Sequence, residues 1–149
     1  MRLSPEQVID LLGLKPLPNE GGMFTQHFAD EHSTAIYFLV RRDDFSAMHR
    51  LDGPEVYHFY LGHPLRMLLL HPGGRVERPI LGVDLAAGHR PSVSVSGDVW
   101  QGSESTGAWS LVGATMAPGF RPEMFELGVR EKLTVGYPEA VDEITRLTR

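Results

Sequence analysis

Short apolar runs, separated by turns rich in glycine and proline, occupy most of the chain between residues 22 and 128. Segments 35–40 and 65–70 are apolar almost throughout, which is typical of strands buried on both faces. Segment 76–81 contains Pro79, which lacks a backbone N–H donor, so we expect it to lie at a sheet edge. The pattern predicts strands at 23–28, 35–40, 56–60, 65–70, 76–81, 93–95, 99–101, 109–116 and 125–127.

Helix signals occur at the two ends of the chain. Ser4 is a suitable N-cap, Pro5 suits the first helical position, and Gln7 completes a capping box. These residues predict a helix over 4–12, ended by Gly13. Segment 138–147 begins with proline and carries acidic residues early and arginine late, an order that a helix dipole favours. We therefore expect a second helix there.

Many short strands between such turns indicate an all-β sandwich or barrel. The 149 residues suggest one domain, 1–149, with room for a real core. We expect at least eight strands, with helices confined to the two ends of the barrel. A helix longer than two turns between residues 34 and 116 would contradict this prediction.

The composition of the chain limits the classes of partner that the protein is expected to bind. The net charge of −5 disfavours nucleic acid, because phosphate binding needs a positive field. The chain has no cysteine, which excludes disulfides and thiolate chemistry. The start of the sequence has no apolar signal region, and no apolar run approaches the ~20 residues of a membrane helix. We expect a cytoplasmic protein without membrane or nucleic-acid partners.

The segment 46–62 carries the candidate chemistry. If 49–51 and 55–60 are strands joined by the turn at 52–54, their inward residues can converge, and His49 would meet Glu55. Imidazole and carboxylate serve both as metal ligands and as acid–base groups. A buried, hydrogen-bonded pair without chemistry is an equally good interpretation. Strand alternation places His58 on the face opposite Glu55, so we expect a structural or interface role for it.

The spacing in this segment resembles the first signature of the cupin superfamily, G-x5-H-x-H-x3–4-E-x6-G. His49, Glu55 and Gly62 match it, whereas Asp43 and Leu51 stand at its leading glycine and second histidine. Almost the whole chain resembles the Cupin_5 family of small single-domain cupins of unknown function. The resemblance implies a cupin double-stranded β-helix, a jelly-roll barrel with a pocket inside it, and often a homodimer. The matching pieces are L-P-N-E-G-G at 17–22, T-A-I-Y-F-L at 34–39, H-R at 49–50, E-V-Y-H-F-Y-L-G at 55–62, L-G-V-D-L-A-A-G at 81–88, V-W-Q at 99–101, W-S-L-V-G at 109–113, A-P-G-F at 117–120 and F-E-L-G at 125–128.

The second cupin signature is almost absent. Gln101 stands at its histidine position and Ser105 at its asparagine position, although Gln101 fits the Cupin_5 form of the motif. A divalent metal is possible, and His49, Glu55 and Gln101 would be its ligands. Leu51 cannot bind a metal, and one imidazole, one carboxylate and one amide form a poor site for a transition metal.

Three functions remain open. In the first, the barrel binds a small organic molecule, oriented by His49, Glu55 and Gln101, with Phe38 and Trp109 as part of an apolar wall. In the second, suggested by analogy with sugar-nucleotide epimerases of the cupin superfamily, the protein is a metal-independent isomerase or epimerase with His49 as base and Tyr57 as acid. The third, a metal-dependent oxygenase, is disfavoured by the ligand count. We predict that the polar trio lies on different strands and points into one cavity.

Overall fold

Two antiparallel β-sheets face each other in the computed structural model, which describes residues 2–149. The strands in this range are β1 (Lys15–Pro16), β2 (Met23–Ala29), β3 (Thr34–Arg41), β4 (Ser46–Arg50), β5 (Glu55–Gly62), β6 (Leu65–Leu70), β7 (Val76–Glu77), β8 (Ile80–Leu81), β9 (Ser92–Val95), β10 (Trp100–Ser105), β11 (Trp109–Met116) and β12 (Glu126–Leu127). The first sheet has the order β1-β2-β3-β11-β5-β9. The second has the order β12-β4-β10-β6-β7, and β8 also pairs with β6.

The predicted all-β architecture is confirmed. The structure has more than the eight strands expected, and only a single 3₁₀ turn, at Leu85–Ala87, lies between residues 34 and 116. The expected edge strand at 76–81 is divided into β7 and β8, with Pro79 between them. The strand predicted at 99–101 is longer than expected, since β10 runs to Ser105.

The N-terminal helix forms as its sequence predicts. Helix α1 (Pro5–Leu12) begins with a complete capping box, in which the amide of Gln7 donates to Ser4 Oγ at 3.2 Å and Gln7 Oε1 accepts from the Ser4 amide at 2.8 Å. Gly13 ends the helix in the left-handed conformation that glycine adopts at low cost. The helix covers one end of the outer face of the first sheet, where Val8 packs with Leu39 and Leu111.

The C-terminal region contains more helix than the sequence predicts. Two α-helices, α2 (Arg130–Gly136) and α3 (Val141–Arg146), flank a 3₁₀ turn at Pro138–Ala140. Only the second of them lies in the predicted segment 138–147. Both pack on the outer face of the second sheet, not at an end of the barrel as predicted, and Leu133 and Ile144 join the buried side chains of β4 and β6 there. No helix in residues 2–149 is long and apolar enough to span a membrane.

The space between the sheets is filled at one end only. Phe38, Leu65 and Val112 belong to a fully packed core that occupies the end of the barrel where β3 finishes and β11 starts. At the opposite end, where β3 starts beside the last residues of β11, the sheets enclose a cavity. Some of the side chains that line this cavity lie on predicted strands. Others lie in loops whose positions the sequence does not predict.

Candidate functional site

A cavity of about 650 Å³ lies between the two sheets and is open to solvent at one end of the barrel. Most of its lining is apolar, and the larger contributors are Phe24, Ile36, Met116, Phe120 and Phe125. We call this space the barrel cavity. The polar residues that line it are Asn19, Glu20, Gln26, Thr34, His49 and Glu55.

The imidazole of His49 is fixed by a hydrogen bond to the backbone of its own strand, β4. It is 2% exposed, and its Nδ1 lies 2.7 Å from the carbonyl oxygen of Ala47. A carbonyl can only accept, so Nδ1 carries a proton. The imidazole stacks on Phe125, with 5.2 Å between ring centroids. This arrangement leaves Nε2 for the barrel cavity, where it lies 3.7 Å from Glu20 Oε1, too far for a hydrogen bond.

Glu55 is the first residue of β5 and lines the same cavity while being 8% exposed. Its Oε1 accepts a hydrogen bond of 3.0 Å from Gln101 Nε2. Burial raises the pKa of Glu55, and the nearby Glu20 carboxylate adds to this, whereas charge on His49 and the bond from Gln101 oppose it. Burial outweighs the opposing effects, so the neutral acid is favoured more than in an exposed glutamate.

Gln101 and Tyr57 stand behind Glu55 rather than at the cavity wall. Gln101 lies opposite His49 in the register between β10 and β4. Its Oε1 accepts a hydrogen bond of 2.5 Å from the hydroxyl of Tyr57. Burial and the charge of Glu55 raise the pKa of Tyr57 well above its usual value, so the phenol stays protonated. The predicted trio therefore converges, but only His49 and Glu55 reach the barrel cavity.

The aromatic wall differs from the one that the sequence suggested. Phe38 faces the barrel interior but is 1% exposed in the packed core, beyond the cavity lining. Trp109 lies on the opposite face of its sheet, where it packs with Leu39 and Leu111 beneath α1. Strand alternation explains this position, since Val112 and its partners at even numbers on β11 face inward. Phe38 and Trp109 therefore do not line the barrel cavity.

The aromatic rings that do line the cavity come mainly from segments that the sequence analysis left without a role. Phe24 lies on β2, whereas Phe120 and Phe125 lie in the loops between β11 and β12. The motif A-P-G-F at 117–120 and the start of F-E-L-G at 125–128 were the available signals for the latter two. No local pattern shows that these loops fold back over the barrel mouth.

Glu20 is a site residue that the sequence analysis missed. Segment 16–22 reads as a turn, but its Glu20 carboxylate accepts a hydrogen bond of 2.6 Å from the hydroxyl of Ser46 and faces His49 across the cavity. The backbone carbonyl of Glu20 accepts from the amide of Ala47 at 2.8 Å and from Arg149 Nη1 at 2.9 Å. The loop is therefore tied to β4 and to the C-terminal residue. An acidic residue beside the glycine pair of L-P-N-E-G-G was the only local signal.

His58 takes the position that strand alternation predicts. It lies on the outer face of the first sheet, with Nε2 at 3.1 Å from the hydroxyl oxygen of Thr115. Since Glu55 faces the barrel interior from the same strand, His58 has no access to the cavity.

The donor set does not fit a metal ion. Within residues 2–149, no three histidine, aspartate or glutamate side chains converge as metal ligands. Leu51 lines the cavity at the second histidine position of the signature and has no donor atom. Both polar atoms of the Gln101 amide are engaged, one by Tyr57 and one by Glu55. The residues present therefore do not form the metal site that the cupin resemblance made possible.

Comparison with known proteins agrees with the predicted family. The Cupin_5 model, described as "Cupin superfamily (DUF985)", matches residues 6–128. The solved structure of protein SO0799 from Shewanella oneidensis is 32% identical, with a TM-score of 0.94 and 99% of each chain covered. A hypothetical protein from Leishmania major is 24% identical, with a TM-score of 0.91, and covers 98% of this chain and 99% of its own. No curated protein matches the sequence.

More distant structures support the fold alone. Oxalate decarboxylase from Bacillus subtilis is 10% identical, with a TM-score of 0.63 over 90% of this chain and 37% of its own. That enzyme is described with Mn(II) centres. The match establishes a shared barrel architecture, which is the predicted cupin jelly roll.

Proposed function

The chain belongs to the Cupin_5 family of the cupin superfamily, and from that premise we propose that it binds a small organic molecule in the barrel cavity. The observation that carries this proposal is the cavity itself, whose volume of about 650 Å³ lies in the range of ligand pockets. Its wall is apolar over most of its extent, and its three ionisable side chains, Glu20, His49 and Glu55, lie near one another. A ligand pocket is expected to have this arrangement, in which the apolar wall contacts the apolar part of the ligand and the polar side chains orient its polar group.

Glu20, His49 and Glu55 orient the ligand, because each brings a polar side chain to the cavity wall. Gln101 acts through Glu55, which it holds by a hydrogen bond of 3.0 Å. Gln101 is therefore a positioning residue rather than a contact residue.

A cavity-filling variant tests the proposal. Ala114 lines the cavity from β11, so Ala114→Leu would extend a larger side chain into it. The matched control is Thr115→Val, since the next residue faces the outer side of the same strand. Native mass spectrometry of protein incubated with a cell extract is expected to find a retained small molecule in the wild type and the control, and not in Ala114→Leu. Equal retention in all three, or none in the wild type, would contradict the proposal.

A second candidate is a metal-independent isomerase or epimerase. Its support is that His49 Nε2 faces the cavity beside a carboxyl group whose pKa is raised by burial, which is the pairing of base and acid that such chemistry needs. Tyr57, the acid expected from the sequence, donates to Gln101 instead, so in this candidate Glu55 supplies the proton. Deuterium incorporation from D₂O into a bound ligand, lost in His49→Gln but with binding retained, would separate this candidate from simple binding.

A homodimer is the proposed assembly. Its support is the family resemblance and the outer face of the first sheet, where Tyr60 and Leu61 are partly exposed beyond the area that α1 covers. Light scattering at micromolar concentration is expected to give twice the monomer mass of 16.6 kDa. A monomer mass at that concentration would contradict it.

A further inference from the structure

The ionisable side chains that line the barrel cavity are two carboxylates and one imidazole. Glu20 and Glu55 approach from the loop before β2 and from β5, and His49 lies near both of them. No lysine or arginine contributes to the lining. An anionic group at this end of the cavity would face two carboxylates, which is unfavourable in a buried site.

A guanidinium group that lies close to Glu20 does not change this balance. Arg149 reaches the loop that carries Glu20, but its Nη2 donates to Asp44 Oδ1 at 2.7 Å and its Nη1 donates to the backbone carbonyl of Glu20 at 2.9 Å. The group is thus neutralised by a carboxylate outside the cavity, and it takes no part in the lining.

Two acceptor positions remain free at the polar end. Glu55 Oε1 accepts from Gln101, and the Tyr57 hydroxyl, which donates to Gln101, also lies close to the Glu55 carboxyl group. Among residues 2–149 no directed hydrogen bond is made to Oε2. Likewise His49 uses Nδ1 for a backbone carbonyl, and Nε2 has no hydrogen-bond partner in the same range. Both side chains are more than nine-tenths buried and line the cavity, so these atoms are available to a ligand. A group with several N–H donors would satisfy both.

Aromatic rings stand beside this polar end. Phe125 stacks on the imidazole of His49, and Phe24 and Phe120 also line the cavity. The faces of aromatic rings attract cations, and the attraction is stronger when water is excluded. A site that combines carboxylates with aromatic side chains is therefore suited to bind an organic ammonium group.

We propose that the barrel cavity selects organic cations, small molecules with a protonated amine at one end and an apolar body. This inference rests on the proposed function, because it names the class of ligand for the same cavity. The ammonium group lies between Glu20 and Glu55, and the apolar body extends along the phenylalanine side chains towards the barrel mouth.

Three probes with one carbon skeleton test the charge preference on the wild-type protein. They are 3-phenylpropylamine, 3-phenylpropan-1-ol and 3-phenylpropanoate, titrated at pH 7 by calorimetry. The amine is expected to bind at least about tenfold more tightly than the alcohol, and the carboxylate not to bind measurably. If the alcohol or the carboxylate binds as tightly as the amine, the charge preference is wrong and the proposed binding function stands. If none of the three binds, the charge preference is wrong, and the retention experiment with Ala114→Leu decides the proposed binding function separately.

Charge-removing variants locate the effect. Glu20→Gln and Glu55→Gln each keep nearly the same volume and are expected to weaken amine binding about tenfold or more, while alcohol binding changes less than about twofold. Glu6→Gln, an exposed residue of α1, is the matched control for the loss of one negative charge and is expected to leave the amine Kd unchanged. Circular dichroism verifies that each variant is folded. Equal weakening in Glu6→Gln, or no weakening in either cavity variant, would overturn the assignment of this site.

Discussion

Replacing Leu51 with histidine is expected to create a metal site in the barrel cavity. Leu51 is 5% exposed, lines the cavity and stands at the second histidine position of the cupin signature. The Leu51→His variant would combine two imidazoles with the carboxylate of Glu55, the ligand set of the two-histidine, one-carboxylate triad. His49 needs no rearrangement, because its Nε2 already faces the cavity.

The size of the effect follows from the burial of Leu51. A fully buried leucine contributes about 1.5–3 kcal/mol, so exchanging it for an imidazole is expected to cost about 2 kcal/mol without metal. A metal ion present at a concentration one hundred times its Kd stabilises the folded variant by about 2.7 kcal/mol. For a chain of this length each kcal/mol moves Tm by about 2–4 °C, so the metal is expected to raise Tm of the variant by about 5–10 °C.

Thermal unfolding with and without Co²⁺, after removal of bound metal by a chelator, measures this difference. Leu51→Phe is the matched control, because it places a ring without nitrogen at the same position. A folded Leu51→His variant whose Tm does not respond to Co²⁺ would show that the missing histidine is not what excludes a metal. An equal response in the wild type would show that His49 and Glu55 already suffice.

Two further predictions concern Glu55 and the loop that carries Glu20. Because burial raises the pKa of Glu55, its contribution to stability is complete below the unfolded value near 4.5 and is lost as the pH rises through the higher folded pKa. Glu55→Gln should therefore gain stability relative to the wild type between pH 4 and pH 8 in urea unfolding, and a constant difference would contradict this. Arg149→Met should release the loop, giving faster amide exchange at residues 17–22, whereas Arg121→Met, whose side-chain bond is to the nearby Glu123, should not. Unchanged exchange in Arg149→Met would show that the remaining bonds, among them those from Ser46 and Ala47 to Glu20, are enough to hold the loop.

The strand framework could be predicted from the sequence because alternation and turn residues are local signals. Strand β10 was predicted too short, since Gly102 and Glu104 are of residue types that are depleted in strands. A tertiary contact explains why glycine stands at position 102, because a Cβ there would lie 2.5 Å from the sulfur of Met48 on the neighbouring strand. A local pattern does not contain that contact.

The candidate site was predicted only where a motif fixed both position and direction. His49 and Glu55 follow from the cupin spacing, whereas the position of Glu20 depends on a bond between its loop and Ala47, far away in sequence. Alternation does not exclude Trp109 from the pocket wall, because both faces of β11 carry apolar residues and the pattern alone does not decide which face is inside.

The chain of hydrogen bonds from Tyr57 through Gln101 to Glu55 has a direction. The phenol donates to the amide oxygen, and the amide nitrogen donates to Glu55 Oε1, which therefore remains an acceptor whether or not the carboxyl group is protonated. Any proton on Glu55 is then carried by Oε2, the atom left for the ligand. A neutral Glu55 offers the ligand an O–H donor, and an ionised one offers it an acceptor. The hydrogen bonds inside the barrel thus leave Oε2 of Glu55 for the ligand. Whether Oε2 donates or accepts a hydrogen bond depends on the protonation state of Glu55, and therefore on the ligand that binds.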